Sequence, residues 1–380
     1  MTRIIIIGAG IAGLATAIGL RRLKIETLII EQAPEVGEVG SGISLWPNAL
    51  KALAALGIAG VVRRLALEEG SGGIRSWRGR LLFQLDLQEL RRQLGDVTVI
   101  LHRAELLSVL RNRATAADIR LGARCVGFEQ NDRRVKALLS DGNSVEGDLL
   151  IGADGLHSVV RAQLFGAKKP RYAGYIAWRA ITGFEHRRLL PGISLGRGSQ
   201  FGQVPLKQAN RVYWFATQNL PQGPNRSQAS WKQNLLAVFR RWHQPIPELI
   251  EATDESVIVR TELYDRRPLK RWGHGTVTLL GDAAHPMTPD LGQGACQALE
   301  DAAVLTRCLE NTNDPVAALR NYESRRIRRA NSFVRASRIV GRMFQLEDDL
   351  ACRARDRFLK SALYHRLQLN GLRRLAEFTP

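Results

Sequence analysis

Long apolar runs are missing from this 380-residue chain. None reaches 18 residues, so no membrane-spanning helix is expected. Cysteine is scarce: Cys125, Cys296, Cys308 and Cys352 are scattered without a C-x-x-C pair. That argues against a disulfide framework and a zinc ribbon, so the four read as reduced thiols of a cytoplasmic protein, and no metal site is expected. Low-complexity tracts and internal repeats are also absent. No zinc-finger, KH or RRM signature appears, and nucleic acid is not expected as a partner. The opening, MTRIIIIGAG, does not read as a signal peptide, because its apolar run is four residues long and ends in glycine.

Acidic residues are outnumbered, with 36 Asp and Glu against 55 Lys and Arg, a formal net charge of +19. Such a field favours anionic partners. From Arg320 onward there are 15 basic and 6 acidic residues, so about half of the excess lies in the last sixth of the chain. Between Phe333 and Leu367, apolar residues recur at 336, 340, 343, 350–351, 354, 358 and 362, near helical spacing. Arg335, Arg338, Arg342, Arg353, Arg355, Arg357 and Lys360 fill much of the remaining surface. Two readings stand: a helix packed on the body of the protein with a solvated basic face, or a peripheral contact with an anionic membrane.

What is present begins at residue 3. RIIIIGAGIAGLATAIGLRRLKIETLIIEQ reads as strand, tight turn, helix and second strand. The β-branched run Ile4 to Ile7 suits a strand buried on both faces. Gly8, Gly10 and Gly13 form G-x-G-x-x-G: the first permits the turn, the second lets a pyrophosphate approach the backbone, and the third lets helix and strand lie close. Glu31 ends the second strand, 23 residues after Gly8, placed to bond a ribose hydroxyl. An acid there favours a ribose without a 2′-phosphate, hence FAD or NAD.

The rest of the chain separates those two. A NAD dehydrogenase would continue with βαβ units; here VGSGISLWPNALKALAALG leads through a glycine-rich loop to a helix. HRAELLSVL begins another helix with Arg103 in its first turn, and hairpin strands follow, with Asp141-Gly142 as a turn. DLLIGADGLHSVVR is again strand, turn and helix. Residues 168–270 are strand-rich, interrupted by one amphipathic helix at about Ser227–His243, and TVTLLGDAAH then returns as a buried strand. The expected fold is α/β. A discontinuous Rossmann-like nucleotide domain (1–167 and 271–330) carries an inserted, mostly β substrate domain (168–270) and a basic helical C-terminal region (331–380).

Three motifs in order resemble those of the single-component FAD-dependent aromatic hydroxylases with the p-hydroxybenzoate hydroxylase fold. They are G-x-G-x-x-G with Glu31, Asp154-Gly155 in GADGLHSVVR, and Gly281-Asp282 in GDAAHPMTPDLGQG. RYAGYIAW and TPDLGQGACQALEDA are similar to the branch with bacterial FAD-dependent urate hydroxylase and plant zeaxanthin epoxidase-like enzymes. The resemblance implies an NAD(P)H-dependent monooxygenase. O₂ would add at the flavin C4a, and the resulting hydroperoxide would deliver oxygen to an aromatic ring or an alkene. NADH or NADPH would be a transient reductant, because FAD occupies the one Rossmann fingerprint.

Residue by residue, the resemblance implies that Gly8, Gly10, Gly13, Glu31 and the adjacent Gln32 hold the adenosine end of FAD. Arg103 would contact the phosphates or ribityl, and Cys125 would offer a backbone group to the adenine. Asp154 and Arg161 belong to a motif that serves FAD and reductant, and Asp282 would bond the ribityl chain. Ile43 and Ser44 would lie beside the flavin, while Gly292, Gln293, Gly294 and Ala295 would aim a helix N-terminus at its N1–C2=O edge, where reduced flavin is negative. Pro286, without an N–H, would line the oxygen site. His285 reads as a packing or hydrogen-bonding residue.

For Tyr213, a sheet-core position and a substrate-pocket role are both open. Arg179 reads as a substrate clamp or a structural ion pair, and Trp178 as core. Two departures bear on substrate: Gln200 stands where the urate branch has arginine, and Ala177 where it has asparagine. A site built for urate would leave polar edges unpaired at a cost of roughly 1–3 kcal/mol each, which argues against urate. Alternatives on the same fold are an FAD-dependent halogenase or reductase-type flavoprotein, or a non-catalytic FAD- or lipid-binding protein. The halogenase lysine and W-x-W-x-I-P motifs are missing.

Overall fold

The computed structural model describes residues 2–35, 41–68, 72–84, 91–92, 95–114, 117–208, 210–223 and 230–380. Its first layer is a five-stranded parallel sheet in the order Val277–Leu279, Leu149–Gly152, Arg3–Ile7, Glu26–Ile30, Asp118–Arg120. The strand before the first glycine turn is central, so Ile4 to Ile7 are buried from both sides. The helix Ile11–Arg22 buries ten of its twelve residues. It is apolar nearly all round because the sheet covers one side and the helix Gly294–Glu310 the other. A Cβ at Gly19 would collide with Thr306 of that later helix. The nucleotide domain is therefore discontinuous, with residues 277–279 completing a sheet that begins at residue 3.

The hairpin segment forms a three-stranded antiparallel sheet, Cys125–Gln130, Val135–Leu139 and Ser144–Gly147. Gly142 supplies the positive φ, 83°, at the turn expected around Asp141-Gly142.

A seven-stranded sheet runs Val259–Asp265, Arg171–Gly183, Arg211–Asn219, Ser199–Pro205, Gly192–Leu195, Gly73–Ser76, Leu81–Gln84. Alternation gives it two faces. Ile176, Trp178, Phe201, Val212 and Trp214 pack under the helices Trp231–Phe239 and Ile246–Glu251, which confirms Trp178 as core. Ala177, Arg179, Gln200, Tyr213, Phe215 and Thr217 share the opposite face, toward the nucleotide domain.

Several expected boundaries shift. Gly73–Ser76 and Leu81–Gln84, placed with the nucleotide domain from the sequence, extend the substrate sheet instead. Gly73–Ser76 satisfies the backbone of Gly192–Leu195, which would otherwise be an open edge. The division at 330/331 falls inside one helix, Pro315–Phe344, which Asp314 caps and no breaker interrupts. The single helix expected at 227–243 is shorter: Ser230 and Gln233 form a capping box that starts it at Trp231, and Ile246–Glu251 is a second helix. Its expected start at 227, like residues 36–40 of the glycine-rich loop, lies outside the described residues.

The basic arm continues as Asp349–Leu359 and Ala362–Ala376. Asp348 caps a new helix and resets the phase, so Cys352, Arg355 and Leu359 are its buried positions, while Ala351 and Phe358 are half-buried and Ala354 is exposed. Arg355, expected on the surface, is buried and donates to the carbonyls of Gly196 and Phe344. Arg338 pairs with Asp265 at 2.9 Å. Arg335, Arg342, Arg353, Arg357 and Lys360 remain exposed.

Candidate active site

The three loop glycines have three different physical reasons. Gly8 has φ 108°, and a Cβ there would lie 2.5 Å from the Ala153 carbonyl oxygen. A Cβ at Gly13 would collide with the Gly8 carbonyl oxygen. Gly10 is exposed, and a Cβ on it would meet nothing within 4 Å. Its backbone is open to a ligand at the N-terminus of the helix Ile11–Arg22, as a pyrophosphate cradle requires. Glu31 is half-buried just past the second strand. Its oxygens accept from the Ala9 and Ala33 N–H groups at 2.7 and 2.8 Å, so it braces the loop and still keeps acceptor capacity. Gln32 beside it is exposed.

Ile43 and Ser44 lie on Gly42–Leu45, paired with Val99–His102. Arg103 opens the helix Arg103–Arg113, and its N–H donates to Ser41 O at 2.8 Å. Cys125 is buried at the start of its strand, its thiol pushed up by burial. Asp154 caps Val159–Phe165 from Oδ2, which accepts from Val159 N at 2.8 Å, while Oδ1 is buried without a partner. Burial pushes its carboxyl up. Arg161 is committed to the protein: Nη1 donates to the Ala283 and Ala284 carbonyls at 2.9 Å each. Burial and then Arg266 lower its guanidinium to about 10. Arg161 thus clamps the turn that carries Asp282.

Asp282 is accessible to solvent yet closely surrounded by protein, as a group lining the floor of a cleft would be. Burial raises its carboxyl, with His285 and Arg103 opposing the rise. Pro286 is buried. Gly292 takes a left-handed φ of 60° against Trp46, and Gly294, starting the next helix, has open space where a Cβ would stand. Ala295 is half-buried. Gln293 turns its side chain inward, where Asn48 and Gln297 donate to its Oε1 at 3.0 and 3.2 Å, so its backbone is what remains toward the cleft.

Behind this loop lies a buried polar network that sequence reasoning missed. His285 Nε2 and Asp301 Oδ2 are 2.5 Å apart, and Gly281 N also donates to that oxygen, at 3.0 Å. His285 is thereby a hydrogen-bonding residue, as its motif implied. Arg326 donates to Asp301 Oδ1 at 2.7 Å and also to Glu300. Arg329 grips Glu300 at 2.7 and 2.8 Å, and Asn48 donates to Glu300 at 2.6 Å while holding Gln293. Burial alone would raise Glu300 and Asp301. Arg326 and Arg329 at Glu300, and His285 and Arg326 at Asp301, more than offset it and hold both below their usual values. The sequence TPDLGQGACQALEDA contained both acids, but nothing local marked Asn48 or Arg326 as their partners.

Across the cleft stands the sheet face. The Tyr213 ring packs so tightly on Gly42 that a Cβ there would lie 2.5 Å from it. It therefore lies on the face toward the nucleotide domain, packed with Ile100, Ile181 and Leu206, and not in the core beneath the helices. Burial pushes its phenol up to about 12, with Arg179 and Arg103 pulling the other way. Arg179 donates to Thr261 Oγ1 at 2.9 Å; among the described residues it makes this hydrogen bond and not the ion pair considered from the sequence, and its Nε is buried without a partner. Gln200 is buried on the same face, near Asp290.

Asp290 and Tyr175 form a link the sequence did not signal: Tyr175 Oη donates to Asp290 Oδ2 at 2.5 Å. Burial raises Asp290, and the hydrogen bonds around it temper the rise; Asp290 Oδ1 has no hydrogen-bond partner of good geometry. Burial, followed by Asp290, pushes Tyr175 well up. A cleft of about 540 Å³ opens beside them, lined by Tyr175, Asn219, Thr288, Arg338, Gly341 and Gln345.

Comparison with known proteins fits this geometry. A family model described as an FAD binding domain matches residues 1–337. The chain belongs to this FAD-binding family. It is 40% identical over 379 residues to aurachin C monooxygenase/isomerase of Stigmatella aurantiaca, covering 99% of this chain and 98% of that one. It is 35% identical over 340 residues to FAD-dependent urate hydroxylase of Klebsiella pneumoniae, covering 88% of each. The solved structure of Klebsiella pneumoniae HpxO complexed with FAD and uric acid aligns with a TM-score of 0.91 at 32% identity, over 99% of this chain and 96% of that one. The enzyme is an FAD-dependent monooxygenase. Its open Gly10 and Gly294 backbones, the accessible Asp282 and the unpartnered Asp154 oxygen all fit FAD in the cleft.

Proposed function

We propose that this monooxygenase uses NADH or NADPH and O₂ to hydroxylate an aromatic compound, or to hydroxylate or epoxidise an apolar one. When bound, FAD supplies the redox chemistry, accepting electrons from the reductant and activating O₂. Gly8, Gly10, Gly13, Glu31 and Gln32 hold its adenosine diphosphate end, with Cys125 at the adenine. Arg103, Asp154 and Asp282 hold the middle. Ile43, Ser44, Gly292, Gln293, Gly294 and Ala295 surround the ring, and the N-terminus of Gly294–Glu310 favours negative charge at its edge. Pro286 keeps a hydrogen-bond donor away from the oxygen site.

The observation that carries the substrate side is the cleft face of the seven-stranded sheet. Tyr213, Gln200 and the partly unpartnered Arg179 share that face with the small Ala177, while the Phe215 ring covers Gly202, and this supports a polar substrate contact there. Tyr213 stays protonated at neutral pH and donates to a substrate oxygen. Arg179 orients a carbonyl or an acidic group. Gln200 and Ala177 disfavour urate. Relatives include 3-amino-4-hydroxybenzoate 2-monooxygenase of Streptomyces cremeus, 34% identical over 94% of this chain, which supports an aromatic substrate. The partner part of the reading is a peripheral contact of the C-terminal helices with an anionic membrane. The test of function is reductant consumption, with released peroxide measured, across phenolic, quinolone, purine and isoprenoid compounds. A phenol or quinolone is expected to raise consumption and suppress peroxide. If no compound stimulates turnover above background, the reading fails.

A further inference from the structure

The partner part of that reading acquires a definite surface, though not the stripe the sequence suggested. Two of that stripe's cations, Arg338 and Arg355, are spent inside the protein. The surface lies instead in a groove of about 950 Å³ between the strand Leu81–Gln84 and the last two helices. Its cations are Lys360, Arg366 and Arg373, joined by His365; no acidic side chain lines it among the described residues. Its floor is apolar: Leu82 and Phe83 are buried, with the Tyr364 ring edge-on to Phe83 at 4.9 Å. At the groove Leu81 stands 42% exposed, and on the neighbouring helix face Leu363 and Leu367 are 59% and 52% exposed.

On Ala362–Ala376 these residues form adjoining stripes. Leu363 and Leu367 are four residues apart, one row of side chains, and Arg366 and Arg373 lie seven apart on the next row. Scattered exposed leucines are ordinary, but a leucine row beside an arginine row is the pattern of a helix lying in a lipid interface. We propose that this face docks on a bilayer containing acidic phospholipid. Leu81, Leu363 and Leu367 enter the acyl boundary, and Lys360, Arg366 and Arg373 meet headgroup phosphates. A second copy of the chain is the poorer occupant, because a two-fold interface would bring like charges face to face. Nucleic acid would take up the cations but leave the leucines in water.

The experiment is cosedimentation of the flavin-loaded full chain with vesicles of phosphatidylcholine alone, or phosphatidylcholine mixed with phosphatidylglycerol, at low and physiological salt. Binding only to the mixed vesicles, weakened by salt, is expected. A cation near an acidic surface is worth about fivefold in binding, so Arg366→Glu/Arg373→Glu should weaken it by about 25-fold or more. Leu363→Asp/Leu367→Asp should weaken it comparably. Arg133→Glu/Arg134→Glu, an equal charge reversal on the exposed hairpin turn, should change it little. Flavin content and substrate-free reductant oxidation, read on the same samples, should stay as in the parent; these report on the enzyme reading independently of docking. Equal binding to neutral vesicles, no binding at low salt, equal loss in the hairpin variant, or leucine variants that only dissociate a dimer in sedimentation would each overturn the proposal.

Discussion

On the nucleotide side of the cleft, Glu300 and Asp301 are fully buried and held ionised by Arg326, Arg329 and His285. On the sheet side, Arg179 Nε has no partner, and Tyr175 reaches across to Asp290 of the facing loop, which is pushed toward its neutral form and has one oxygen without a well-placed donor. The first arrangement answers each of its charges with an opposite one, although His285 Nδ1, Asn48 Oδ1 and Gln293 Nε2 at its edge are buried without a hydrogen-bond partner. The second leaves polar atoms of charged side chains, Arg179 Nε and Asp290 Oδ1, unmet, at a desolvation cost unless a ligand meets them. On the proposed reading, the first wall is scaffold and the second receives the substrate.

The comparison breaks most sharply at Arg326. Arg326→Met removes the cation shared by two buried carboxylates, and leaving them uncompensated should cost about 3–5 kcal/mol of stability, read by denaturant unfolding of the apoprotein. Loss near zero would mean that the network is not the scaffold of that wall. Next in size, Asp282→Ala should weaken FAD binding by about 1.5–3 kcal/mol, the range for a hydrogen bond to a charged group, while leaving apoprotein stability nearly unchanged. Flavin titration of the stripped protein reads it, and unchanged affinity would remove Asp282 from the cofactor site.

A pH prediction follows from the carboxyls held low. Glu300 and Asp301 lie below their ordinary 4.5 and 3.8, so their stabilisation is complete above those values and is lost as pH falls through the lower folded-state values. Glu300→Gln should lower neutral-pH stability by about 1–2 kcal/mol and flatten the acid limb of the stability profile. An acid limb identical to the parent's would assign acid unfolding to other groups.

How far the sequence carried differed between the same two walls. The glycine turn was legible because its signal is local: three glycines within six residues, two required by close backbone approach and one open to a ligand, directly after a buried β-branched strand. The network behind it was not, because Asn48 and Glu300 lie 252 residues apart and no local pattern relates them. The Tyr175–Asp290 link spans 115 residues and was equally silent. Alternation along RVYWFA showed that Tyr213 and Trp214 take opposite faces of a strand, but only the assembled sheet shows which face meets the cleft. The C-terminal arm misled for a specific reason: the helical period was read through Asp348, where a new cap restarts the phase.

The smallest expected effect tests the central claim most directly, because it separates the two walls within one side chain. Tyr213→Phe removes a single hydroxyl from the second wall and touches nothing in the first. With a stimulating substrate in hand, the measurement is peroxide released per reductant consumed, with and without that substrate. The account predicts substrate oxygenation lowered by about tenfold, about 1.4 kcal/mol, with peroxide rising in its place, while FAD affinity and substrate-free reductant oxidation stay as in the parent. Equal slowing of both oxidations, or loss of flavin, would place Tyr213 in the scaffold and contradict the division between the walls.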